Sequence, residues 1–144
     1  MASFVFNVAK GSIAYYAGLP AASDRLVAIP IEASGVVSDA TMVDYDDVAT
    51  LLAGATNEQT TMGRKTLASV TVTVDDTNDR VNIDCADITW TAATGNAISD
   101  ILIAYDPTGA SADSALVPLT FHDFSATPDG TDITATVSDF ARAG

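Results

Sequence analysis

Val70-Thr71-Val72-Thr73-Val74, Asp75-Asp76-Thr77-Asn78-Asp79 and Arg80-Val81-Asn82-Ile83-Asp84-Cys85 run on without interruption, and their reading decides the fold. Apolar and polar residues alternate strictly on both sides of a segment rich in Asp and Asn, the residues that turn a chain most readily. The pattern predicts an antiparallel hairpin with one buried face, with Val70, Val72, Val74, Val81, Ile83 and Cys85 pointing inward.

Outward from the hairpin, further runs carry β character: Ile13 to Ala17, Arg25 to Ile31, Ile88 to Thr91 around Trp90, Ile98 to Tyr105, Ala115 to Phe121 and Asp132 to Val137. Turn signals separate them, among them Gly18-Leu19-Pro20, Ala93-Thr94-Gly95-Asn96, Asp106-Pro107-Thr108-Gly109 and Pro128-Asp129-Gly130. Short strands at this spacing predict a mostly β chain, an antiparallel β-sandwich or barrel. One segment breaks the period. From Asp44 to Gly54, Tyr45, Val48, Leu51 and Leu52 recur at three- and four-residue spacing behind Asp residues suited to an N-cap. This predicts a short α-helix over residues 44–53.

Composition bounds the function. The 144 residues suit a single domain, and 48% hydrophobic against 17% charged residues calls for a packed core. Six basic against nineteen acidic residues give a net charge of -13, which repels nucleic-acid phosphates and anionic lipid. Neither a nucleic-acid nor a membrane partner is expected. The longest apolar stretch, Leu26 to Ile31, is far shorter than a membrane span. Met1 to Lys10 lack the pattern of a secretory signal, so synthesis in a cytoplasm is expected. A single cysteine, Cys85, excludes an internal disulfide.

The residues available for chemistry are few. His122 is the only histidine, and strand alternation places it on the face opposite Phe121. A Cys85–His122 dyad is disfavoured because Cys85 falls on the predicted core face. Paired carboxylates are too abundant to single out two. No glycine-rich phosphate loop is present. The turn formed by Asp75, Asp76, Asn78 and Asp79 is a weak Ca²⁺ candidate, although Arg80, the missing glycine and the missing distal glutamate depart from the EF-hand loop. Trp90, Tyr15, Tyr16 and Tyr105 would stack sugars only if exposed, and burial of Trp90 is the stronger expectation. No catalytic residue and no cofactor are expected. Arg64-Lys65 is the one adjacent basic pair, read either as neutralising nearby Asp residues or as contacting an acidic patch on a neighbouring copy.

Several stretches together resemble a group of small bacteriophage virion structural proteins. They are Ala9-Lys10-Gly11 with Ile13 to Pro20, Asn57 to Thr61 leading to Arg64-Lys65-Thr66-Leu67, Val72 to Val81, Ile88 to Ile98, and Val117-Pro118-Leu119-Thr120 with Thr127 to Gly130. The resemblance implies a particle component, foremost a capsid decoration or cement protein on the virion surface, with the major capsid protein as partner. It carries no catalytic motif to transfer. A tail, fibre or head–tail junction component is the alternative, and a carbohydrate- or calcium-binding β module is a third. For a decorating protein, exposed strand edges or termini are the natural contacts, and a closed homo-oligomer such as a trimer is expected. Phe4 and Phe6, in a segment that reads either as an ordinary first strand or as a candidate N-terminal arm over residues 1–9, and Arg64 and Lys65 are the interface candidates.

Overall fold

Leu26 to Ile31, buried at every position, forms the interior of a strand covered on both faces, which is why that run does not alternate. In the computed structural model, which describes residues 2–20 and 22–144, this strand belongs to an antiparallel five-stranded sheet. In chain order the elements are β1 (Phe4–Val5), α1 (Ile13–Gly18), β2 (Arg25–Glu32), α2 (Asp39–Met42), α3 (Val48–Ala53), β3 (Lys65–Thr66), β4 (Thr71–Asp75), β5 (Arg80–Asp84), β6 (Ile88–Trp90), β7 (Ile98–Asp106), β8 (Val117–Ala126), β9 (Ile133–Ala135) and β10 (Ala141–Ala143). The large sheet has the order β1-β8-β7-β2-β3, beside a three-stranded sheet β10-β5-β4 and a β6-β9 pair. The fold is mostly β and antiparallel, as the alternation predicts. The sheets stay open, and none closes into a barrel.

Both faces of the large sheet are covered, and each cover makes a core. On one face Leu26, Ala28, Ile101, Ile103 and Leu119 meet Ile13 and Ala17 of α1, Ile83 and Cys85 from the hairpin, and Ile88 and Trp90. On the other, Val27, Ile29, Ile31, Leu102 and Phe121 meet Met42, Val48 and Leu51 from α2 and α3, together with Phe6.

Helices account for the local departures from the predicted strands. Ile13 to Ala17 is helical: Ile13 and Ala17, four residues apart, share the buried face and leave Tyr15 in solvent. The predicted 44–53 helix is shorter, Val48–Ala53, because Asp47 caps it by accepting from the Thr50 N–H at 2.8 Å. A further short helix, α2, precedes it.

The N-terminal segment is built into the fold. β1 pairs antiparallel with β8, the Phe6 N–H donates to the Leu119 carbonyl at 3.0 Å, and the Asn7 N–H donates to the Val43 carbonyl at 2.9 Å. Phe6 is fully buried and Phe4 stacks on Phe121 at 5.4 Å. Phe6 is therefore a core residue and not an interface residue, and residues 4–9 do not project as an arm.

The Asp106-Pro107-Thr108-Gly109 turn shows how acidic side chains organise loops. Asp106 accepts from the backbone N–H groups of Thr108, Gly109 and Ser111 and pairs with Arg25 at 3.2 Å. Burial alone would raise its carboxyl, but hydrogen bonds from Ser111, Thr108 and Arg25 outweigh it and hold the group at about 2. An acid with a depressed folded pKa contributes stability above its unfolded pKa of about 3.9 and loses it as pH falls toward the folded value. The urea midpoint of the wild type should therefore fall as pH drops from about 4 to about 2. In Asp106→Asn, lower in stability throughout, that part of the pH dependence should be gone.

Candidate interaction surface

The hairpin lies where the sequence places it, but its outer strand is not buried. Val72 pairs with Ile83 and Val74 with Val81, so the four side chains share one face, as the alternation requires. Ile83 is fully buried and Val81 half-buried, whereas Val72 is 39% and Val74 68% exposed. The reason is position: β4 is an edge strand, and the core ends beneath β5. The inward assignment of Val72 and Val74 is thus corrected, and Val70 is half-buried. Beside β4 packs α1, whose Tyr15 is 66% exposed. Among the described residues, Tyr15, Val72 and Val74 are the large apolar side chains left in solvent, and they sit on adjoining elements.

The turn at the end of this strand is occupied by its own donors. The Asp75 carboxylate accepts from the Asn78 N–H at 3.2 Å and the Asn78 amide at 2.8 Å, and from Arg80 and Asn82. Those bonds, Asn78 foremost, lower its pKa. Asp76 and Asp79 are exposed, and Asp79 takes a positive φ of 51°, which Asp tolerates in tight turns. In this turn of Asp75, Asp76, Asn78 and Asp79, the Asp75 carboxylate is thus satisfied by its own neighbours, while Asp76 and Asp79 face solvent. No group of three or more His, Cys, Asp or Glu side chains suited to a metal occurs among the described residues.

Cys85 and His122 line one open groove of about 250 Å³ where the large sheet meets β6 and β9. The sequence did not foresee that proximity. Their chemistry is not that of an activated pair. Burial, with the charges of Asp84 and Asp87, pushes the Cys85 thiol up to about 11, so it stays protonated at neutral pH. Burial likewise lowers the His122 pKa, and its Nε2 is 2.8 Å from the Thr120 hydroxyl. Trp90 is 1% exposed and donates to the Gly63 carbonyl at 2.9 Å, which removes it from any sugar platform.

The basic pair divides. Arg64 grips Glu58 through Nε and Nη2, at 2.8 and 2.7 Å, and Asp113 through Nη1 at 2.6 Å. Those hydrogen bonds, Glu58 first, raise its pKa further above the ordinary value. With both faces of the guanidinium fork engaged inside the chain, Arg64 neutralises its own acids and is not free for a neighbouring copy. Lys65 lies opposite Ala28 in β3, the other edge of the large sheet.

No family model, curated protein or solved structure matches this chain. The sequence points to the hairpin but not to its exposure; the absence of any Lys or Pro from Val70 to Val74 is the signal that this edge is unguarded.

Proposed function

We propose that this chain is a non-enzymatic structural protein of a bacteriophage particle, a capsid decoration or cement protein that binds the assembled shell. The observation that carries the reading is the exposed Thr71–Val74 edge with Tyr15 beside it. An edge strand presents unpaired backbone N–H and C=O groups, and a partner strand added there would also cover Val72 and Val74. Asp75, Asp76 and Asp79 make the end of the strip acidic, so the matching surface on the major capsid protein is apolar with a basic flank. The two-core body and the resemblance of the sequence to small virion proteins support the same reading, under which a closed homo-oligomer, a trimer foremost, is expected.

Val74→Asp tests it. Because Val74 is exposed, stability should change by only about 0.5 kcal/mol, while affinity for assembled shells in a co-sedimentation assay should fall at least ~10-fold. Unchanged shell binding would sink the assignment of this edge. Localisation of the chain in a cryo-electron microscopy map of the particle separates shell from tail or head–tail junction, the runner-up positions.

A further inference from the structure

A second acidic feature lies on the opposite side of the large sheet, and its electrostatics are unresolved within the chain. Asp100 of β7 stands directly opposite Asp123 of β8, and on its other side opposite Ile31 of β2. With the side-chain period of two, these aspartates continue the stripe that Leu102 and Phe121 begin on the α2/α3 face. Asp100 thus fills a core-type position and is 1% exposed. One of its oxygens accepts from the Ser99 hydroxyl; the other, Oδ1, is buried with no hydrogen-bond partner.

No arginine is spare to offset the pair, and the amino-terminal charge that acts on Asp100 is outweighed by burial and the charge of Asp123. Arg25, Arg64, Arg80 and Arg142 are committed to Asp106, Glu58 and Asp113, Asp75 and Asp139, respectively. Like charges directly opposite across a sheet repel, and a buried carboxylate oxygen without a donor adds a desolvation cost. The two carboxylates border an open pocket of about 270 Å³, lined also by Ala33, Val36, Ser99 and Ser125. Every polar side chain in that lining offers oxygen.

We propose that Asp100 and Asp123, with the hydroxyls of Ser99 and Ser125, bind a divalent cation of the Ca²⁺ class in this pocket. Ca²⁺ takes roughly six to eight oxygens in adaptable geometry, so two carboxylates and two hydroxyls leave positions for water, which the open pocket admits. Mg²⁺ is disfavoured because it demands near-ideal octahedral geometry. The net charge of -13 concentrates cations at the surface. Two carboxylates set a modest affinity, with Kd on the order of 10⁻³ M. Burial, and after it the Asp123 charge, raises the Asp100 carboxyl, so a cation here competes with a proton.

Thermal unfolding of the full chain at about pH 7.5 and constant ionic strength tests the site. CaCl₂ at about 10 mM, on the order of ten times the expected Kd, should raise Tm by ~3 °C or more. MgCl₂ should do less. Asp100→Asn and Asp123→Asn should each abolish the Ca²⁺ shift, and Asp100→Asn should raise Tm without metal by removing the repulsion. Asp123 is exposed, so its variant tests the site even if Asp100→Asn unfolds. No shift in the wild type, or a shift that survives both variants or vanishes instead in Asp75→Asn, overturns the proposal. So does a Tm that ignores Ca²⁺ but rises toward about pH 5 in the wild type and not in Asp100→Asn, because a shared proton then neutralises the pair.

Discussion

Phe6→Ala should destabilise the protein by about 3–5 kcal/mol, the range for truncating a fully buried phenylalanine, and lower Tm by ~10 °C. The side chain is 0% exposed and packs edge-on to Phe121 at 6.3 Å and to Phe4 at 5.2 Å. The segment around it is held by backbone bonds as well: Phe6 donates to Leu119, and the N–H groups of Ala9 and Lys10 return to its carbonyl. A cavity there cannot collapse easily, because β8 and the α2/α3 layer fix its walls. Phe6→Leu should recover most of the loss, and Phe4→Ala, at a half-buried site, should cost about 1–2 kcal/mol. Chemical denaturation of the three variants measures this ordering. A cost below about 1 kcal/mol for Phe6→Ala would mean that the N-terminal segment leaves the core in solution and is free to act as an arm.

The same residues show what a sequence can and cannot reveal. Hairpin register was legible because alternation is local: Val72 faces Ile83 and Val74 faces Val81 as the pattern requires. Depth of burial was not, because it depends on how far the core extends past β5, a property of the whole assembly of layers. Ile13 to Ala17 reads as a strand from its Ile and Tyr content, yet tertiary packing of Ile13 and Ala17 on one face selects a helix. His122 does sit on the face opposite Phe121, as alternation placed it, but its sharing a groove with Cys85 depends on how the β6-β9 pair seats against the large sheet.

The acidic residues differ in role by the supply of donors around them. Asp106 and Asp75 are surrounded by N–H groups and act as loop organisers. Asp100 has one hydroxyl and a second carboxylate for neighbours, which is why it and not the Asp75 turn is the better place for a cation. In sequence the two kinds are indistinguishable; Asp100 is marked only as the one charged residue in the run Ile98 to Tyr105.

Gln59 carries the second large effect, because it is a polar side chain that does the work of a core residue. It is 1% exposed, and its amide nitrogen donates to the carbonyls of Asn96 at 2.9 Å and Thr94 at 3.3 Å. Its amide oxygen accepts from the N–H groups of Thr61 at 2.8 Å and Met62 at 3.2 Å. One side chain thereby ties the loop before β3 to the loop before β7. Gly95 makes the contact possible: it has a φ of +107°, and a Cβ there would lie 2.1 Å from the Gln59 nitrogen. Gln59→Leu preserves volume but strands two donors and two acceptors, for an expected cost of about 2–4 kcal/mol, the loops recovering part of the loss by admitting water. Gly95→Ala should cost about 1–3 kcal/mol through strain and collision. If the collision is with the Gln59 amide, Gly95→Ala should cost less in a Gln59→Ala background, with a coupling on the order of 1 kcal/mol in a double-mutant cycle. Strict additivity would show that the φ at Gly95, and not the approach of Gln59, sets its requirement for glycine.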